Sequence, residues 1–250
     1  MQLSELLNVE QPVSLNSLPV DQMKDLQRAL ANLGYPVGDI DGLVGPRTRS
    51  AWSEFQNDVS KRDPTQVDAA SVAALQQQLA KLAQPSNHDF STRDGTIAAI
   101  MDECRRQGIG LRDQIAYVLA TTQHETNNTF QPVREAYYLR DGGEAYRRTL
   151  AYYPYYGRGY VQLTWERNYR TYGGLLGKDL VNSPDLALQP EIALFVLVHG
   201  FKVGTFTGRA ITTYIDASHT DFVNARRCIN GTDQAQHIAD LATQFTRTHL

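Results

Sequence analysis

The chain is short of several things at once. It has only two cysteines, Cys104 and Cys228, in 250 residues. That is too few for a disulfide framework, and they lack the close pairing of a zinc site. Two buried thiols are expected, and only a distance can settle whether a bridge joins them. No stretch approaches the roughly 18 uninterrupted apolar residues of a membrane span, so no membrane insertion is expected. Residues Met1 to Glu10 contain Glu5 and no Lys or Arg. They lack the basic start and apolar core of a signal peptide. An excess of charge is also missing, with 24 Lys and Arg against 27 Asp and Glu for a formal net charge of -3. Nucleic-acid binders usually gather a basic patch onto the phosphates, so no nucleic acid is expected as partner. What is present suits a globular core, because 42% of residues are hydrophobic and 20% charged. The length fits one large domain, or a small domain plus a medium one.

The pattern of apolar residues predicts a mainly α fold. Met23, Leu26, Leu30 and Leu33 recur at helical spacing before Gly34, a helix stop. Asp39-Ile40-Asp41-Gly42 signals a turn, and Pro46 suits a first helical position. Ala51, Trp52 and Phe55 give a second apolar face. Val72, Leu75, Leu79 and Leu82 give a third, with Asp68 as its N-cap. The polar segment from Gln84 to Asp89 reads as a linker. The expected layout is a three-helix domain over residues 1–84, a linker over 85–92, and a larger helical domain over 93–250. In that larger part, Ile97, Ile100, Met101 and Cys104 lead to Gly108, and Ile115, Val118, Leu119 and Thr122 form the next face. Ile192 to Phe201 is apolar nearly all round and reads as a buried helix. Ile238, Leu241 and Phe245 give the last face. Between Phe130 and Trp165 the chain is rich in Tyr, Gly and Arg, as in loops or a short hairpin that carry function.

Two carboxylates stand out. Glu125 closes a predicted helix in Thr121-Thr122-Gln123-His124-Glu125-Thr126, about 20° from Val118 around the axis. At an apolar edge its charged form is disfavoured, as a general acid requires. Glu135 follows in loop-like sequence, and Glu144 is the fallback for its role. His124-Glu125 does not begin a zinc motif H-E-x-x-H, because Asn128 stands where the second His would be. No metal or organic cofactor is expected.

Two stretches resemble known families. Leu26-Gln27, Leu30, Gly34-Tyr35, Asp41-Gly42, Gly45, Thr48, Ala51 and Phe55-Gln56 resemble the peptidoglycan-binding domain of lytic enzymes. Tyr35 and Asp41 are candidate groove residues. Gly157-Arg158-Gly159, Gln162-Leu163-Thr164 and Asn168-Tyr169 resemble the G-R-G-x-x-Q-[IL]-[ST]-x-x-x-N-Y stretch of plant-type chitinases and related phage and bacterial lysozymes. His124-Glu125-Thr126 upstream is similar, as are Asn182, Pro184-Asp185-Leu186 and Ile229-Asn230-Gly231. This second resemblance runs over roughly residues 95 to 250. It implies a lysozyme-like helical catalytic domain with Glu125 as general acid, Glu135 as general base and Thr164 holding the attacking water. It also implies that Gln162, Asn168 and Asn230 line a sugar cleft; His124 is a further substrate-binding candidate, and the tyrosines between 152 and 160, Tyr160 among them, are candidates to stack on sugar faces. Arg158 is expected to order its loop.

The implied reaction is inverting hydrolysis of a β-1,4 glycosidic bond, which asks for carboxyl groups roughly 6.5–9.5 Å apart. With a wall-binding module in the same chain, bacterial peptidoglycan is the expected partner and muramidase (lysozyme) action the expected activity. Chitinase action on chitin oligomers is the alternative within enzymes. A non-catalytic wall-binding protein is the alternative outside them. A monomeric phage endolysin, held in the host cytoplasm until released to the wall, would fit these features.

Overall fold

The computed structural model describes residues 3, 5, 6, 9, 11–35, 37–83 and 87–248. The predicted linker residues 84–86 and the side chain of Leu82 lie outside the described residues.

In the first region, α1 (Val20–Asn32), α2 (Pro46–Phe55) and α3 (Ala69–Ala83) enclose one core. Met23, Leu26, Leu30, Ala51, Trp52 and Phe55 are all fully buried in it. Pro46 takes the first turn of α2, where its missing N–H costs nothing. Asp68 caps α3, its Oδ1 accepting from Ser71 N at 2.8 Å. Two features were not expected. Residues Gln56–Ser60 continue α2 as a π-helical turn. Two-residue strands β1 (Val13–Ser14) and β2 (Gln66–Val67) pair antiparallel, Val13 opposite Val67. Trp52 Nε1 donates to Gln66 O at 3.1 Å and ties that ribbon to α2.

The second region begins with α4 (Arg93–Gln107), capped by Thr92 and stopped by Gly108 at φ 83°. It continues through α5 (Arg112–Glu125), β3 (Val133–Arg134), α6 (Glu144–Arg147), β4 (Arg158–Gly159) and α7 (Glu166–Leu176). Then come α8 (Pro190–Val203), the short α9 (Phe222–Ala225) and α10 (Ala235–Thr248). The core surrounds α5, which is buried without a break from Gln114 to Thr122. It packs on α10, and α8 packs on α4. A second, smaller core joins Leu163, Tyr169, Tyr172 and Val196 around α7 and one side of α8. The chain between α5 and α7 is the expected short hairpin: β3 and β4 pair antiparallel, Val133 opposite Gly159 and Arg134 opposite Arg158. Cys104 and Cys228 are both free and buried, as expected of two thiols without a bridge.

The two regions touch through backbone. Gly110 N donates to Gly34 O at 2.8 Å. A Cβ on Gly34 would sit 2.1 Å from Arg105 O, so only glycine fits there, quite apart from its φ of 87°.

Candidate active site

Glu125 is the last residue of α5, and the turn beyond it is pinned from inside. The Thr126 hydroxyl donates to Thr122 O at 2.7 Å and accepts from Phe130 N at 3.0 Å. Thr126 is fully buried, so the motif threonine fixes where the helix ends and its carboxylate begins. Sequence reasoning placed Glu125 at an apolar edge. The structure puts a guanidinium there instead: Arg226 Nη1 donates to Glu125 Oε1 at 2.7 Å. The Arg226 side chain is 3% exposed and that of Glu125 19%. The ion pair is thus shielded from water on the arginine side. Arg226 Nε also donates to Asp233 O at 3.0 Å, which orients the guanidinium. No motif announced Arg226, because it comes from a different element 101 residues away.

His124 is half-buried and meets His237 edge to face at 5.7 Å. Burial draws its imidazole below the usual histidine range. Glu125 opposes that shift, while Arg226 and His237 add to it. Asn230 lies one turn from the same ion pair, its N–H donating to Arg226 O at 3.0 Å. Its side chain is exposed apart from Oδ1 accepting from Gly231 N. His124, Glu125, Arg226 and Asn230 therefore form one group.

Glu135 heads a second group. It follows β3 directly, and its backbone continues the ladder through Glu135 N to Gly157 O at 2.8 Å. Both carboxylate oxygens are held, Oε1 by the Tyr152 hydroxyl and Oε2 by Gly157 N, each at 2.8 Å. Burial and the bond to Glu135 push the Tyr152 hydroxyl up to about 12, so it remains a donor at neutral pH. Gln162 packs beside this clamp: a Cβ on Gly157 would meet its Oε1 at 2.5 Å. Its Nε2 reaches Val133 O at 3.4 Å. Thr164 is half-buried, and no protein group bonds its hydroxyl among the described residues. Asn168 donates to Thr164 O at 2.8 Å and so secures the start of α7.

The comparisons with known proteins bear on both regions. Residues 19–59 match the family model of a peptidoglycan binding domain, and residues 88–203 match that of class I chitinases. The chain joins a peptidoglycan-binding domain to a family 19 chitinase domain. The chitinase domain is 34% identical over 94 residues to Chitinase 11 of Oryza sativa subsp. japonica, covering 38% of this chain and 34% of that protein. It is 49% identical over 41 residues to Inactive chitinase-like protein 1 of Hevea brasiliensis, covering 16% and 13% of the two chains. Likeness of this kind extends to a protein named inactive, so residue geometry has to carry the chemistry. The chain spans about a third of the length of the first curated relatives it matches. Among solved structures, chitinase C from Streptomyces griseus HUT6037 is similar, with a TM-score of 0.46, 22% identity, and coverage of 67% of this chain and 74% of that one.

Within the chitinase domain, three further residues find their places. Tyr160 is not a substrate-binding residue: it is fully buried in the main core, and burial pushes its hydroxyl well above the usual range. Glu144, the fallback for the base, has charged partners where Glu135 has neutral ones. Arg148 and Arg147 bond it from its own turn and hold its carboxyl below the usual glutamate range. Arg158 orders the loop, as expected. Its Nε donates to Asp185 at 2.7 Å, its Nη1 donates to Pro154 O, Tyr156 O and the Tyr169 hydroxyl, and its guanidinium lies 3.7 Å over the Tyr156 ring. In the peptidoglycan-binding domain, Tyr35 is core, meeting Phe55 edge to face at 6.0 Å. Asp41 accepts from Gln27 Nε2 and Leu43 N, which shapes the turn. Gln27 is 1% exposed and also accepts from Gly42 N, so this buried amide explains the Asp-Gly spacing.

Proposed function

We propose that the protein hydrolyses β-1,4 bonds in the glycan strands of bacterial peptidoglycan as an inverting muramidase. The observation that carries this reading is the unequal pair of held carboxylates. Glu125 has one oxygen on Arg226 and no protein partner on the other among the described residues. Glu135 has both oxygens held by neutral donors.

In this mechanism Glu125 Oε2 carries the proton to the leaving oxygen, while Arg226 fixes the carboxyl through Oε1. Ionised Glu135 takes a proton from water. A carboxylate has about four lone-pair sites, so Tyr152 and Gly157 leave room for that water. The Thr164 hydroxyl gives the water a second contact. Gln162 and Asn230 offer the mixed donors and acceptors that sugar hydroxyls need. The reaction requires no metal or organic cofactor.

Peptidoglycan is favoured over chitin because the peptidoglycan-binding domain tethers the enzyme and raises its local concentration at the wall. The same reading makes the protein a monomeric phage endolysin, held in the host cytoplasm until the membrane opens. Clearing of a peptidoglycan suspension, with the reducing ends and their first-formed anomer identified, tests it. The expected products end in N-acetylmuramic acid with inverted configuration. Products ending in N-acetylglucosamine, or no clearing, would reject the muramidase.

A further inference from the structure

The family pattern over residues 157–169 leaves three positions open before Asn168. This chain fills them with Trp165, Glu166 and Arg167. The same three residues line a surface cavity of about 290 Å³.

Trp165 is 48% exposed, an unusual state for so large an apolar side chain. Its inner side rests on the Tyr152 ring at 4.9 Å, and the Tyr152 hydroxyl holds Glu135 at 2.8 Å. The cavity thus lies one aromatic ring away from the proposed base. Trp165 also sits at φ 70°, a region that bulky side chains rarely occupy. Its N–H donates to Tyr155 O at 2.9 Å, which helps to hold that turn. Strain of this kind collects where ligands are clamped. A half-exposed indole matches the apolar face of a sugar ring.

The charges around the cavity are unequal. Glu166 is taken by Arg170 one turn along α7. Arg167 is exposed and has no ion pair or side-chain hydrogen bond among the described residues. An unpaired guanidinium beside an aromatic face suits a carboxylate attached to the ring that covers the face.

We infer that Trp165 and Arg167 form a subsite for an amino sugar that carries a carboxylate, as N-acetylmuramic acid does on its lactyl arm where no peptide stem is attached. The inference rests on the glycan-cleaving reading above. An N-acetylglucosamine unit offers a ring face to Trp165 but no carboxylate to Arg167. The chitinase domain therefore has its own means of preferring strand segments whose N-acetylmuramic acid has lost its peptide stem, independent of the peptidoglycan-binding domain.

The test is direct binding by the full chain carrying Glu125→Gln, so that turnover does not intrude. Two probes of equal length are compared: a stem-free oligosaccharide alternating N-acetylglucosamine with N-acetylmuramic acid, and an oligomer of N-acetylglucosamine alone. Arg167→Gln should weaken the first by about tenfold, the loss of one charge-assisted contact. It should leave the second within about twofold. Trp165→Ala should weaken both by about tenfold, and Trp165→Phe should restore most of that. An equal effect of Arg167→Gln on both probes, or none on either, overturns the carboxylate assignment. Unchanged affinity in Trp165→Ala, or no measurable binding of either probe, overturns the subsite. The cleavage reading fails by another sign, a wild-type chain that shows this binding pattern yet never clears peptidoglycan.

Discussion

Glu125 and Glu135 are held in opposite ways. Glu125 leans on a charge. Among the described residues its carboxylate has one hydrogen-bond partner, a buried guanidinium delivered from across the domain. Glu135 leans on neutral donors supplied by its own hairpin and the loop that leads into β4. A charged partner acts strongly but stands or falls with one side chain. Two neutral donors act more weakly, and each covers for the other. Substitutions can break this contrast or sharpen it.

The largest effect is expected from Glu125→Gln. It should keep the fold and lower the rate of glycan cleavage at least about a thousandfold, because it removes the proposed proton donor. A rate within about tenfold of wild type, read as reducing ends released, would remove Glu125 from the chemistry. Next is Glu135→Gln, expected to cost about a hundredfold or more. In Glu135→Ala, which leaves room for it, added azide should restore part of chain cleavage by attacking the anomeric carbon in place of activated water, giving a glycosyl azide, and would not do so in the acid variant. Arg226→Met comes third. It leaves Glu125 without its guanidinium partner and should lower stability by about 2 kcal/mol, below the usual cost of breaking a fully buried pair because Glu125 keeps some solvent. Its kcat should fall by more than its KM rises. An unchanged melting temperature and an unchanged kcat together would show that the ion pair is idle.

Tyr152→Phe is expected to lower kcat only a few-fold, since Gly157 N–H still holds one oxygen of Glu135. A loss as large as that of Glu135→Gln would show that the two donors do not substitute for each other. The smallest effect concerns pH. Asp185 braces the hairpin behind Glu135 through Arg134 and Arg158. Burial pushes its carboxyl up, but the two guanidinium groups outweigh this and hold it below the usual range. Its folded value is depressed, so its contribution is present above the unfolded value of about 3.9 and lost as pH falls through the folded one. The fall in unfolding free energy between pH 6 and pH 3 should be smaller in Asp185→Asn than in wild type. An equal fall would mean that the brace carries no weight.

The same contrast explains what could be read without a structure. The end of α5 was legible because His124-Glu125-Thr126 is contiguous and the apolar spacing before it is helical. Glu135 stood out only through the spacing of the family resemblance; that Tyr152 and Gly157 of the same stretch hold it shows only in the folded chain. Arg226 was not, since a partner 101 residues away leaves no local pattern. Tyr160 was misread for a related reason: in a stretch rich in Gly and Tyr, composition suggests a surface loop, yet that side chain turns into the core. Trp165 was passed over because it occupies a position that the family pattern leaves open. In the first region the three helices followed from periodicity. The buried Gln27 did not, since only the folded turn shows that its amide replaces backbone partners. The π-helical turn after α2 has no sequence mark at all.

The Gly157 N–H has a consequence for how this site can change. A backbone donor cannot be substituted away. Any residue at that position except proline keeps it, although a Cβ would crowd Gln162. Half of the hold on Glu135 is thus written in the path of the chain and only half in a side chain. Random substitution can erode the acid's support in a single step at Arg226, whereas the base keeps a remnant of its support through any change at Tyr152. A lineage or a laboratory searching for altered specificity therefore has more freedom on the hairpin side, around Tyr152 and Trp165, than at the end of α5.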